Sequence, residues 1–528
     1  MRFERRFSTG PAPERERREV ETLRGPIEVE APRDWPDARV EAWLDWTEGL
    51  PDDHPNLTPD ALSPSRPMDP LLACGPARWA RRSAAWGFAL GLFDNQEQAT
   101  LFEAELIGAV ERGVFAPGTV RRRGARVHPL ADDRLEPLPA PTVVHLADPD
   151  ARTVIEGWLG ERRGATLARK AALLLDERLE AVREAVRRCE GDPRACADPT
   201  RNAALARAAH AARAAGAEDG QILAAVAGAR AATGARAALP EAVPAAPLCV
   251  LAERDLVEAG APETVLAAVA GAETARLSLV FDPRDGEALA RADAAARGAI
   301  AVQDLADDPD ALFDAVRLAV TALEIEIAAG FAPDGAAART RFGWRPVALT
   351  VAGLPERLQA RGLAAGSDAA VLDAAAVQAF VHASAILVSA EMARRVHAYP
   401  EWESDGDARL AAVEQAVGRA ADLAETGAHL AERAVELYAD ALALAEPSGL
   451  RHAEVVRAFE DADLALRLGA PLDAAAVPSP VSVCETADGE TVRALSASAA
   501  RGLHAIGADL DAVERTLLGR RTLDGAPG

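Results

Sequence analysis

The sequence predicts a helix-rich α/β fold. Hydrophobic residues make up 49% of the 528 residues, a globular composition and not a disordered one. Long runs with helical apolar spacing dominate the second half, while strand candidates are few, short and isolated. Periodicity alone offers thin material for a complete sheet or barrel. A chain of this length fills two or more domains, or one large α/β unit.

Taken in order, the first seventy residues are rich in Pro, Asp and Arg, with tryptophans at 35, 43 and 46. A short helix fits 41–46, and the flank carrying Pro51, Pro55, Pro59, Pro64, Pro67 and Pro70 reads as extended linker. Order resumes at Ala77, with Trp79, Trp86 and Leu90 on one helical face. Asp94 followed by Glu97 suggests a capping box for a helix through Val110. Residues 121–141 are loop-like. A strand is expected at 142–146, with Asp148 capping a helix through Leu159, then helices at 167–188 and 202–232. Pro240, Pro244 and Pro247 lead to an apolar strand at 248–251. Further strands are expected at 276–281 and, weakly, at 300–302. Helices are then expected at 312–330, 369–396, 407–445, 453–468, 494–507 and 508–518.

The net charge of −24 argues against unaided binding to nucleic acid or to an anionic membrane surface. Lys170 is the only lysine, so the basic residues are almost all arginine. The opening MRFERRFSTG is charged and lacks the apolar core of a secretory signal. No apolar run reaches the length of a membrane span; the longest, around 380–388, contains His382 and Ser384. A cytoplasmic location is the expectation.

Candidate chemistry is sparse. Cys189 and Cys196 flank a Gly/Pro turn ahead of an Ala/Arg helix, open to reading as a metal half-site, a redox pair or two structural thiols. The lack of nearby Cys or His partners favours two partly buried thiols at a helix junction. Cys74, Cys249 and Cys484 are isolated, and five irregularly spaced cysteines do not read as a disulfide framework. The nine histidines are scattered. Arg121–Arg123 could meet a phosphate, although an exposed charged loop is the commoner reading. No Walker or dinucleotide glycine loop is present. Glu324 and Glu326 fall on either side of Ile325 and would not face each other on a helix, which argues against a paired-carboxylate catalyst. Residue chemistry alone therefore yields no catalytic or metal-binding residue.

Several segments, in the same order, resemble the catalytic chain of the adenosylcobalamin (vitamin B12)-dependent, class II ribonucleotide reductases. They are MRFERRFSTG, RRSAAWGFALGLFDNQEQATLFEAELIGAVERGVFAPGT, PTVVHLADPDARTVIEGWLGERR, CEGDPRACADPTRNAALARAAHAARAAG, AARGAIAVQDL, RFGWRPVALTVAGLPERLQARGL with AILVSAEMARRVHAYPEW, and finally ALALAEPSGLRHAEVV and RTLDGAPG. The resemblance implies three regions: a Pro/Arg-rich N-terminal segment (1–70), an N-terminal helical region (71–135) and a barrel-like region (136–528). The last would be an incomplete remnant of the family's ten-stranded α/β barrel.

The departures fall on the chemistry. The family uses a thiyl radical generated from the cofactor, with two further cysteines supplying electrons. Where its radical cysteine stands in Asn-Pro-Cys-Ser-Glu, residues 282–289 read DPRDGEAL. Its Asn-Ser-Pro-Gln-Trp-Phe-Asn motif becomes GTVRRRG, and the long insert with a redox cysteine and nucleotide loop between Pro117 and Pro141 is missing. Its Pro-Thr-Gly-Thr-Ile-Gly loop for the substrate diphosphate, due after Val456, is replaced by RAFEDADLALRLG. The chain also stops at Gly528, where the family continues with its C-terminal cysteines.

The resemblance therefore implies a catalytically inactive ribonucleotide reductase-like protein acting as a scaffold or partner. A full-length reductase chain or a second copy is the expected partner, with no retained cofactor, no nucleic acid and no membrane. Two alternatives stand beside it. One is an active adenosylcobalamin-dependent reductase drawing on Cys249 and Cys484; the other is a helical binding protein for an unrelated small ligand.

Overall fold

Residues 2–9, 13–22, 25–49, 74–118, 142–229, 248–251, 277–280, 291, 294–330, 332, 335–459, 461–474, 476–485, 491–510, 512–513 and 515 are the described residues of the computed structural model. Two compact units divide the chain: Met1–Pro139 with Glu273–Arg276 and Glu287–Gly528, and Ala140–Ala272 with Leu277–Gly286.

The first unit opens with more structure than its proline content suggests. Strands β1 (Arg15–Thr22) and β2 (Gly25–Pro32) form an antiparallel hairpin, and helix α1 (Asp37–Gly49) replaces the short helix expected at 41–46. Trp35 stacks on Trp43 at 6.3 Å, and Trp46 meets Trp43 edge-on at 5.2 Å and Trp79 at 5.7 Å. Two of the buried indoles hydrogen-bond to backbone: Trp43 Nε1 donates to Arg467 O at 2.9 Å and Trp46 Nε1 to Gly118 O at 3.2 Å. These rings bury large areas and fold a stretch whose local propensity favours linker. The prolines from Pro51 to Pro70 lie outside the described residues.

Helices α2 (Cys74–Ala89) and α3 (Gln96–Glu111) follow. Asn95, not Asp94, caps α3: its backbone is extended (φ −157°) and its side chain accepts from Gln98 N at 2.9 Å. Asp94 stands one residue too early and instead pairs with Arg395 at 2.7 Å. The N-terminal residues lie along α3. Glu105, 2% exposed, accepts backbone N–H groups from Arg6, Phe7 and Ser8, and Phe3 packs against Phe93 and Phe102. A side chain at Gly108 would collide with Phe7 O, so this close approach requires glycine. Strand β3 (Phe115–Pro117) ends the segment.

In the second unit, β4 (Thr142–His145) is followed by α4 (Ala151–Arg187), α5 (Pro193–Cys196), α6 (Ala203–Ala214), α7 (Asp219–Gly228), β5 (Leu248–Leu251) and β6 (Leu277–Val280). The strands make a parallel sheet in the order β4-β5-β6. Where two helices were expected, α4 runs unbroken for 37 residues, because no proline interrupts it. Asp148 does not cap it; its carboxylate accepts from His145 N at 3.2 Å. The helix expected at 202–232 divides at Gly216, whose φ of +94° no helix interior can hold.

Returning to the first unit, β7 (Ala296–Ala301) leads through α8 (Pro309–Ala329) and α9 (Gly335–Trp344) to β8 (Val347–Ala352). Strand β3 pairs antiparallel with β7, β7 parallel with β8, and Leu349 bridges in parallel to Val456. Helices α10 (Leu354–Ala360), α11 (Asp368–Val396), α12 (Trp402–Ala424) and α13 (His429–Ser448) connect β8 to that bridge. Gly427 (φ +81°) separates α12 and α13, where one helix was expected over 407–445. Of the helix expected at 453–468 only α14 (Ala462–Leu468) forms, since Asp461 caps it and Val456 is drawn into the sheet. The hairpin of β9 (Val481–Glu485) and β10 (Thr491–Leu495) precedes α15 (Ala497–Ala505).

Among the described residues the sheets hold two or three strands each, none closes on itself, and a ten-stranded barrel is not seen. Helix α11 is long and apolar enough to cross a membrane by length and composition, with mean hydropathy 1.8 over an 18-residue window, contrary to the expectation from sequence. His382 and Ser384 break a strict apolar run without lowering the average far. Of that window 56% is buried inside the protein, as in a core helix, with Phe380, Val381 and Val388 in the main hydrophobic core.

Candidate functional site

Parallel strands present their carboxyl ends to whatever an α/β fold binds. Here β7 and β8 end side by side, with Val302 N donating to Ala352 O at 2.9 Å. The residues that follow are Gln303 and Asp304 on one strand and Gly353, Leu354 and Glu356 on the other. Gly353 has φ +74°, and a Cβ on it would land on Gln303 Oε1. That oxygen is buried with no hydrogen-bond partner among the described residues.

Next to these ends lies an ion network. Arg357, 3% exposed, forks onto Asp373 (Nε–Oδ2 2.9 Å, Nη2–Oδ1 3.1 Å) and reaches Asp307 Oδ1 at 2.8 Å. Arg361 adds 3.2 Å to Asp307 and 3.4 Å to Asp373. Burial opposes ionisation of Asp307, but the two guanidiniums outweigh it and hold its carboxyl below the usual range. Glu356 has no such help: burial pushes its carboxyl up, and Oε2 is buried without a partner.

The chain's own later residues lie across this edge. Gly353 N–H donates to Pro471 O at 2.9 Å. From α15, Ser498 Oγ donates to Gln359 Oε1 at 2.6 Å and Arg501 pairs with Asp304 at 2.7 Å, while Gln359 Nε2 donates to Pro478 O at 3.2 Å.

The opposite, amino edge holds a second cluster. Glu324 on α8 receives Arg345 through Nη2 (2.7 Å) and Nε (3.1 Å), Arg451 Nε (2.8 Å) and His452 Nε2 (3.1 Å). Burial would raise the Glu324 carboxyl, yet Arg345, His452 and Arg451 together hold it well below the carboxylate range. Burial pushes the His452 imidazole down towards the neutral form. Ser389 Oγ stands 3.1 Å from His452 Nδ1 and accepts the N–H groups of Arg451 and His452. Every atom is satisfied if Nε2–H donates to Glu324 and Nδ1 accepts the Ser389 hydroxyl proton. Ser, His and Glu are the residue types of a nucleophile relay, but Ser389, His452 and Glu324 are at most 1% exposed, and a relay needs a substrate within reach. Nearby, Arg291 lies 4.1 Å over Trp344 and bridges Glu454 at 2.6 Å, while Tyr399 donates to Asp405 at 2.7 Å.

The residues singled out from sequence are dispersed. Cys189 and Cys196, expected as two partly buried thiols, are joined in a disulfide; the turn between them brings their Cα atoms to 5.6 Å, inside the range that bond allows. Cys249 is buried on β5 of the second unit. Cys74 starts α2 and Cys484 lies on β9 opposite Val492; their side chains are outside the described set. Arg121–Arg123 and residues 282–289 also lie outside it. Glu324 enters the amino-edge cluster, while Glu326 is half-buried apart from it, its carboxyl pushed up by desolvation against the opposing pull of Arg341 and Arg82. Among the described residues no three His, Cys, Asp or Glu side chains are grouped to hold a metal ion. Sequence reading missed Gln303, Arg345, Arg357, Asp373, Ser389 and His452, for no local motif marks partners as far apart as Glu324 and His452, 128 positions along the chain.

The parallel pair and its bridge fall inside a family match. Residues 297–457 match the family model for the ribonucleotide reductase barrel domain. No curated protein matches the chain. The matched span opens in β7 and closes one residue after Val456, so it contains both β7–β8 and the bridge. It supports a relationship to the ribonucleotide reductase family and a ribonucleotide reductase-like protein. On parallel strands of an α/β fold the carboxyl edge, here with Gln303, Gly353 and Arg357, is the place to look for function.

Proposed function

We propose that this chain is a catalytically inactive relative of the adenosylcobalamin-dependent ribonucleotide reductases, serving as a scaffold that pairs with a full-length reductase chain or with a second copy of itself. One observation carries the reading: the strand ends are occupied by the chain's own residues. Pro471 O takes the Gly353 N–H, Gln303 fills the space beside it, and Arg357 is committed to Asp373 and Asp307. Residues 282–289, where the resemblance places the family's radical cysteine, read DPRDGEAL and hold no cysteine, and thiyl-radical chemistry needs one. With the Gly353 N–H given to Pro471 O and Gln303 set against Gly353, this edge supports a reading without retained adenosylcobalamin.

The test is direct. Purified protein with adenosylcobalamin, a dithiol and ribonucleoside diphosphates is expected to form no deoxynucleotide at high protein concentration. Product formation would overturn the reading and favour the alternative in which Cys249 or Cys484 takes part. For the partner role, affinity capture at native concentration should recover a reductase chain or a second copy; recovery of neither would count against it.

A further inference from the structure

The Cys189–Cys196 pair takes no part in the proposed function, and its surroundings suggest a use of their own. Cys196 is fully buried, whereas Cys189 is half-buried beside residues 190–194, all of them exposed. Solvent therefore reaches the Cys189 residue and not Cys196. Gly191 faces both sulfurs, at 3.8 Å from Cys189 Sγ and 3.7 Å from Cys196 Sγ for a Cβ placed there, so no bulkier side chain shields them at that point.

The junction is also held together without the disulfide. Asn202 Nδ2 donates to Ala185 O at 3.0 Å and Cys196 O at 2.9 Å, tying α4 to the turn, while its Oδ1 accepts Leu205 N at 3.1 Å and caps α6. Asp192 caps α5 through Ala195 N. Val182, Val186, Leu205 and Ala212 pack α4 on α6 in a core of their own. A link spanning only seven positions constrains the unfolded chain less than a long-range one would, and the turn is also fastened at these other points. Cleaving it has a place for the new proton too, since Cys196 Sγ lies 3.3 Å from Cys189 O.

We propose that Cys189–Cys196 is a reversible thiol–disulfide exchange site whose co-reactant is a protein dithiol. A partner thiolate attacks Cys189 Sγ, the Sγ–Sγ bond breaks, and Cys196 leaves as a thiolate that takes a proton and hydrogen-bonds to Cys189 O. The partner's second thiol then attacks the mixed disulfide, releasing Cys189 as a thiol and leaving the partner oxidised. Two electrons and two protons pass from the dithiol to the pair, and no ribonucleotide takes part. This inference does not rest on the inactive-reductase reading, and it stands or falls without it.

Native full-length protein is incubated with dithiothreitol, labelled with a maleimide and mapped by mass spectrometry. One new label is expected, at the half-buried Cys189 and not at the fully buried Cys196, with the far-ultraviolet circular dichroism unchanged and the label lost after reoxidation. A Cys189 label that appears only in denaturant, or only together with a loss of helix signal, would overturn the proposal by making the bond a structural staple. A thioredoxin with its resolving cysteine replaced by serine is then used to trap the intermediate. A mixed disulfide on Cys189 is the expected product; one on Cys196, or none, would refute the assigned direction of attack.

Discussion

The two edges of the β7–β8 sheet handle buried charge in opposite ways. At the amino edge one carboxylate, Glu324, is surrounded by Arg345, Arg451 and His452, and Ser389 satisfies the remaining ring nitrogen. At the carboxyl edge one guanidinium, Arg357, is shared by Asp373 and Asp307, and Gln303 Oε1 and Glu356 Oε2 are left buried without partners. A closed, satisfied network belongs to the scaffold. Unpaired buried polar atoms cost free energy, and a fold keeps them where close approach or a task demands it. The contrast is therefore between the Glu324 cluster, whose atoms are all paired, and the carboxyl edge, while beside that cluster Glu454 Oε2 is itself buried without a partner.

Breaking the amino edge should give the largest effect. E324Q leaves two guanidiniums facing a neutral amide in a site where Glu324 is 1% exposed, and a broken buried ion pair costs about 3–5 kcal/mol. The expected outcome is a large fall in the urea midpoint followed by tryptophan fluorescence, a signal to which the first unit contributes seven of the eight tryptophans. A shift no larger than that of a surface substitution would refute the Glu324 cluster as a stabilising network. D373N should cost less, about 1–3 kcal/mol, because Asp307 still pairs with the Arg357 guanidinium. Equal losses for the two variants would erase the contrast between the edges.

A third variant probes strain at the carboxyl edge. G353A forces a Cβ onto Gln303 Oε1 at φ +74°, for an expected loss of about 1–2 kcal/mol. In the background of Q303A the collision disappears and only the backbone cost remains, so the double variant should recover part of the loss. A double variant as unstable as the sum of the two singles would show that the side chains do not meet.

The contrast between edges was not legible in the sequence, although much of the scaffold was. The strand at 248–251 and the helix at 369–396 were read to within a residue, because a short apolar run between turn residues and a long periodic run are each local signals. β8, VALTVA, escaped because six buried residues in a row have no period to detect. The hairpin β1–β2 escaped, and helix α1 was legible only as a short helix at 41–46, because proline content outweighed the tryptophans at 35, 43 and 46, whose pull comes from distant partners such as Arg467 and Gly118. The disulfide escaped because cysteine spacing gives no information on how tightly a turn closes. The clusters escaped for the same reason at longer range: Arg451 and His452 form an unremarkable dipeptide until folding sets them against a residue on α8.

The smallest predicted effect separates the edges by pH. Glu324 is depressed below its ordinary value of 4.5 in the folded state, so its contribution is present above about 4.5 and is lost as pH falls through the folded value. The gap between wild type and E324Q should therefore shrink on acidification. Glu356 runs the other way. Its folded carboxyl is raised above 4.5, so the folded state holds a proton that the unfolded chain has released, and wild type loses stability as pH rises from about 4.5 through the folded value. E356Q keeps the uncharged shape at every pH, so it should match wild type near pH 4 and exceed it modestly at pH 7 in paired urea titrations. If both variants moved in the same direction with pH, the two edges would share one kind of buried charge, and the division between the paired Glu324 cluster and the carboxyl edge would fail.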